Sequence, residues 1–179
     1  MSSIRLVTEN VKKQILEGIS NASSIYILTS FVMKSGVELL KPYLIDAAKR
    51  GADIKICTGD YLYVTQPEAL SRLLIPDFDH VEVRLWHSNG TSFHPKAYLF
   101  RHEEEGTFIV GSSNLSRSAL TNGVEWNLIM DKDIQPETFE DAENRFLKIF
   151  YDDQTVPVNE ETINKYTKNI RSITRTIRI

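Results

Sequence analysis

The chain carries a single cysteine, Cys57, among its 179 residues. One thiol cannot close an internal disulfide or build a structural zinc site, and it suits a reducing compartment. Long apolar runs are missing too, since no stretch approaches the roughly 20 residues needed to cross a bilayer. The opening Met1-Ser2-Ser3-Ile4-Arg5 lacks the apolar core of a secretory signal. No G-x-x-x-x-G-K-[ST] loop occurs, so nucleotide binding of the P-loop kind is not expected. His80, His87 and His102 match no H-x-H, H-E-x-x-H or carboxylate spacing, so neither a metal site nor a cofactor is expected. Positive charge is in no excess, the net charge being −3. A cytoplasmic location without membrane contact is the economical expectation.

What remains is a globular composition, 41% hydrophobic and 25% charged, in a chain long enough to bury a core unaided. The charge is unevenly spread. Residues 165–179 hold Lys165, Lys168, Arg171, Arg175 and Arg178 with no acidic residue, whereas residues 131–143 are mostly acidic. The basic tail reads as a solvated face, as the start of a further domain, or as an arm for phosphates.

Apolar spacing alternates between helix and strand. Asn10 can cap a helix carrying Val11, Ile15, Leu16 and Ile19, and Ser35 one carrying Val37, Leu40, Leu44, Ile45 and Ala48, closed by Gly51. Strands are expected at 24–30, 53–58, 81–86, 94–101, 107–111 and 124–130, and helices at 67–75 and 136–151. Residues 162–168 look helical, and 173–179 are rich in β-branched residues. This is an α/β sandwich with a mixed, largely parallel sheet. A domain over 1–152 and a C-terminal extension over 153–179 are the expected divisions.

The chemistry gathers in two short segments. His94-Pro95-Lys96 opens an apolar strand, where residues two apart project together. Downstream lies Gly111-Ser112-Ser113-Asn114, in which Ser112 and Asn114 share a face if the backbone stays extended. The turn at 103–106 would bring both pairs to one end of the sheet, where sites of α/β folds are built. A neutral imidazole can attack phosphorus, with lysine neutralising phosphate oxygens. Asn and Ser can bond the equatorial oxygens, and Glu125 can hold the imidazole tautomer.

His94-x-Lys96 followed by Gly111-Ser112-x-Asn114 resembles the phospholipase D signature, H-x-K-x4-D with a later G-S-x-N. The aspartate position is Arg101 here. This looks like the nuclease branch that uses a later glutamate, a place that Glu125 in Gly123-Val124-Glu125-Trp126-Asn127 would fill. Those segments, with Thr58-Gly59-Asp60-Tyr61 and Glu68-Ala69-Leu70, resemble the N-terminal phospholipase D-like domain of bacterial superfamily II helicases and related restriction endonucleases. The likeness covers roughly residues 25–150.

That resemblance implies a phospholipase D-like α/β/α sandwich and a metal-independent phosphodiesterase acting on DNA, with RNA as the other polymer. His94, Lys96, Ser112, Asn114 and Glu125 are the expected catalytic set. Asp60, Tyr61, Ser113 and Arg117 are candidate substrate contacts. Family enzymes need two motifs and this chain has one, which implies a homodimer with the site on its two-fold axis. There His94 would form a phosphohistidine and the second His94 would serve as acid and base. The end within a patterned segment suggests a longer chain continuing into a helicase. Two rival readings stand beside this one: a non-catalytic module that binds nucleic acid and dimerises, and a phospholipid hydrolase. Asp60, Tyr61 and Tyr63 could equally pack, Trp126 suits core or interface, Arg101 and Arg117 could contact phosphate or water, and Cys57 suits a buried small residue.

Overall fold

The computed structural model describes residues 2–176, with side chains through 174. The end of the β-branched run, 177–179, and with it Arg178, lies outside the described residues, as does the Arg175 side chain. Strand β1 (Ile4–Val7) leads into helix α1 (Lys12–Asn21), β2 (Ser24–Thr29), α2 (Lys34–Lys49) and β3 (Asp53–Gly59). After a 3-10 turn at Tyr61–Tyr63 come α3 (Pro67–Leu73), β4 (Val81–Trp86), β5 (Lys96–His102) and β6 (Glu105–Gly111). The chain ends through α4 (Arg117–Leu120), β7 (Asn127–Asp131), α5 (Pro136–Phe150), β8 (Thr155–Pro157) and α6 (Glu160–Thr176).

The strands form one eight-stranded sheet in the order β1-β7-β6-β5-β2-β3-β4-β8. Alternation along each strand splits the core into two layers. Ile25, Ile27, Ile54, Ile56, Ile109 and Ile129 face one side, under Ile15 and Ile19 of α1, Leu40 and Leu44 of α2, and Leu70 of α3. Leu28, Cys57, Leu99 and Met130 face the other, under Phe139, Phe146 and Phe150 of α5. The result is an α/β/α sandwich. The sheet is mixed, but antiparallel pairs outnumber parallel ones: only β2–β3 and β3–β4 run parallel. Strands that are adjacent in the sheet and joined by a helical crossover occur only there. The tight turn at Glu103, whose φ of 53° is left-handed, forces β5 and β6 to pair antiparallel.

Several local expectations are corrected. Asn10 is no helix cap; it adopts φ 49°, and α1 starts from Val11 without a side-chain cap. Ser35 lies inside α2, and its hydroxyl accepts instead from the backbone N–H of Arg117. The strand expected at 124–130 begins only at Asn127, and the one expected from His94 begins at Lys96. Residues 153–176 join the same core: β8 pairs with β4, and Tyr166 of α6 is buried. Despite its β-branched residues, the segment at 173–176 continues α6.

Candidate active site

The carboxyl ends of β2, β3 and β6 meet the amino ends of β5 and β7, because Thr29 pairs with Lys96 and Gly111 with Asn127. His94 sits on the two residues that lead into β5. Its neighbour Phe93 is buried, stacked on Trp86 with ring centroids 4.6 Å apart. Phe93 fits because Gly59 has no side chain; a Cβ there would come 2.5 Å from the Phe93 ring. His94 itself is exposed, and its ring forms a T-shaped pair with Tyr61 at a centroid distance of 5.4 Å and 76°.

The Lys96 ammonium donates to the His94 carbonyl at 2.9 Å, closing the H-x-K segment on itself. Burial lowers the Lys96 pKa below the usual lysine range, and the Glu125 carboxylate opposes that shift. An ammonium at this place has the sign wanted beside a phosphate.

The loop after β6 does not stay extended, so its residues divide differently from the simple alternation. Ser112 is exposed; its hydroxyl donates to Glu125 in a short hydrogen bond and accepts from the backbone N–H of Trp126 at 2.9 Å. Ser113 points inward and is fully buried, bonded to the Ala119 carbonyl and to the Asn127 amide. It is therefore structural, which corrects its candidacy as a substrate contact. Asn114 is also buried; its carbonyl oxygen accepts from Phe31 N–H at 3.2 Å, which leaves its NH2 group for a ligand. Asn114 and Glu125 line a cavity of about 630 Å³ shared with Phe31, Met33, Lys34 and Gln66. Tyr98 lies beneath this loop, donating to the Ser113 carbonyl; burial, with help from Glu125, pushes its pKa up.

Gly111 owes its place to contact. A Cβ there would lie 2.1 Å from the Trp126 carbonyl oxygen, so only glycine lets β6 and β7 close at this end.

Glu125 does not bond the His94 imidazole within the chain; its partner is Ser112. Arg101, at the signature's aspartate position, points to the opposite layer. It is half-buried, paired with Glu143 of α5 and lying over the Phe139 ring, which commits its guanidinium to that pair. Arg117 is exposed with its side chain uncommitted. Among the described residues no cluster of three His, Cys, Asp or Glu side chains could hold a metal ion, and no helix is long and apolar enough to cross a membrane.

Asp60 is mostly covered, and both its oxygens are engaged: the His87 ring N–H donates to one at 2.7 Å, and Ser88 N–H to the other at 2.7 Å. This Asp60–His87 pair was not anticipated. Its signal is the parallel register Gly59↔Trp86, which places both residues one step beyond the same strand ends. Past Asp60, Leu62 and Tyr63 hold left-handed φ values of 57° and 54°. Each costs about 1–2 kcal/mol, so the surroundings must impose them.

The chain belongs to the phospholipase D superfamily: the family described as cardiolipin synthase, PLD-like domain, matches residues 15–150. The fold is similar to Nuc of Salmonella typhimurium, a phospholipase D family member, at 18% identity and a TM-score of 0.68, covering 89% of this chain and 100% of Nuc. NucT of Helicobacter pylori is similar at 18% identity and a TM-score of 0.69, with 88% and 100% covered. The phosphatidylserine synthase of Haemophilus influenzae matches at 16% identity and a TM-score of 0.62, over 97% of this chain but 46% of the synthase. No curated protein sequence matches significantly.

Proposed function

We propose that the chain is a metal-independent phosphodiesterase domain that cleaves DNA, with its site completed across a homodimer. The carrying observation is the convergence of His94, Lys96, Asn114 and the Ser112–Glu125 pair on one end of the sheet, in a single copy. In-line displacement at phosphorus needs a nucleophile on one side and an acid on the other. His94 attacks and forms a phosphohistidine; His94 of the second protomer protonates the leaving oxygen and then activates water. Lys96 and the Asn114 NH2 group offset charge on the equatorial oxygens. The domain serves as the nuclease part of a longer protein of the helicase or restriction type.

Dimerisation has its own support. Beside the site, the part of the α5-side sheet face that α5 does not reach stays open, with Ile4, Leu6, Val110 and Leu128 each about half exposed and Leu6, Leu128 and Val110 in register across three strands. Trp126, 64% exposed, and Val124, 93% exposed, extend this strip up to Glu125. A contiguous apolar patch is what an isologous interface needs, and its continuity with the site argues for a second copy as its occupant.

Cleavage of labelled single- and double-stranded DNA with EDTA present tests the reading, comparing wild type with His94→Ala. Cleavage that survives chelation and vanishes in the variant is the expected result. DNA retained without cleavage by wild type would favour a binding module instead.

A further inference from the structure

An imidazole nucleophile must be aimed, and the described structure gives the His94 ring no hydrogen bond to do it. The ring torsion of histidine is broad, so an exposed His94 would sample many orientations. Its ring packs T-shaped with Tyr61, and Tyr61 belongs to a loop held by several hydrogen bonds. Resting on the reading of His94 as nucleophile, we propose that Tyr61 is a positioning residue that fixes the imidazole, with Asp60 and His87 as its anchor.

The anchoring is redundant. Asp60 immediately precedes Tyr61 and is held through both carboxylate oxygens by His87 and Ser88. His87 is itself tied to the segment before β8, donating its N–H to the Gln154 carbonyl and accepting from the Gln154 amide. Beyond Tyr61, the Tyr63 N–H returns to the Asp60 carbonyl at 2.9 Å, and the Tyr63 ring stacks on Tyr166 of α6 at 5.9 Å. The Tyr166 hydroxyl then closes on the Thr65 carbonyl at 2.7 Å, and the Thr65 hydroxyl on the Gly59 carbonyl at 2.9 Å. Two consecutive left-handed residues, Leu62 and Tyr63, survive inside this frame. Strain kept by so many restraints beside a reacting group marks a backbone whose position matters. The Tyr61 hydroxyl makes no hydrogen bond among the described residues, so the ring is the working part.

The test uses the full chain with two substrates, DNA and bis(p-nitrophenyl) phosphate, a diester without a base to stack. Tyr61→Leu should lower kcat about 10- to 100-fold on both, the scale of a misplaced reacting group, with KM for the small diester held. Tyr61→Phe should regain most of the loss. Asp60→Ala and His87→Leu should repeat the pattern more weakly. A loss confined to DNA, with raised KM, would overturn the proposal and make Tyr61 a base platform. A Tyr61→Phe variant as impaired as Tyr61→Leu would overturn it in favour of the hydroxyl. Three-bond NMR couplings of the His94 side chain give a readout independent of turnover: they should average in Tyr61→Leu and stay rotameric in wild type. If wild type hydrolyses neither substrate, the function assigned to the site fails, and couplings unchanged by Tyr61→Leu would separately overturn the positioning role.

Discussion

The hydroxyl of Ser112 joins the end of β6 to Glu125 ahead of β7, donating to the carboxylate while accepting from the Trp126 N–H. Ser112 therefore fixes where the Glu125 carboxylate sits. Ser112→Ala frees the carboxylate and leaves the Trp126 N–H to water. We expect a fall in kcat of about 10- to 100-fold, the range of lost positioning and charge stabilisation. Because both groups reach solvent, the melting temperature should barely move. A variant with undiminished kcat in a steady-state assay would show that the pairing is incidental.

Gly111 and Gly59 predict different defects on substitution by alanine. At Gly111 the clash is with backbone, the Trp126 carbonyl at 2.1 Å, which cannot swing away. Gly111→Ala should cost about 1–3 kcal/mol, read as a lowered melting temperature. At Gly59 the neighbour is the Phe93 ring. Gly59→Ala should fold, displace Phe93 and the adjoining His94, and show up chiefly in kcat. Equal melting temperatures for the two variants would contradict this distinction.

Ser113 and Asn127 form a buried polar chain reaching Ala119. Ser113→Ala leaves the Asn127 amide unpartnered in the interior, at a cost of about 1–3 kcal/mol. For a chain of this size that is about 2–4 °C in melting temperature per kcal/mol, measurable by calorimetry. Activity per folded molecule should change little, the reverse of Ser112→Ala.

Alkaline pH should loosen the fold. Burial raises the pKa of Tyr98 and of Tyr166 in the native state. In the unfolded chain both titrate near about 10, so there the unfolded state releases protons that the native state keeps. Their contribution is complete below that pH and is lost as pH rises toward the raised native values. Denaturant midpoints should drop as pH climbs past about 10, and less steeply in Tyr166→Phe than in wild type. An identical slope in the variant would count against the assignment.

Charge on the open sheet face should divide the dimer. Leu128→Arg replaces a half-exposed side chain at the centre of the Leu6–Leu128–Val110 row. A surface change of this kind should alter monomer stability by about 0.5 kcal/mol at most, while sedimentation equilibrium shows monomers and DNA cleavage is lost. A monomeric variant with full activity would defeat the shared-site reading.

The candidate-site segments were legible as motifs because they are local. His94, Lys96, Ser112 and Asn114 sit in short motifs whose spacing survives any uncertainty about tertiary packing, and the helix–strand alternation follows apolar periodicity. What escaped depends on other things. The Asp60–His87 pair needs the register between β3 and β4, which no single segment encodes. Ser112 and Asn114 were expected to share a face, but the loop after Gly111 leaves the extended geometry that alternation assumes, and Asn114 is buried while Ser112 is exposed. Asn10 and Ser35 have the composition of caps, yet a left-handed φ at one and a partner on α4 for the other override propensity. Strands β1 and β8, of four and three residues, are too short to announce themselves. The Arg101–Glu143 pair is a contact between a strand and a helix far along the chain.

Strands β1 and β8 lie at opposite edges of the sheet, with α6 leaving from the β8 side. Seven inter-strand gaps of about 4.8 Å separate those edges by roughly 34 Å. In the proposed dimer, cargo fused after α6 would hang from the outer flank of each protomer, on the side away from the proposed interface. Two motors, tags or fluorophores could ride on one dimer without obstructing each other, whereas the same cargo fused ahead of β1 would sit in the seam.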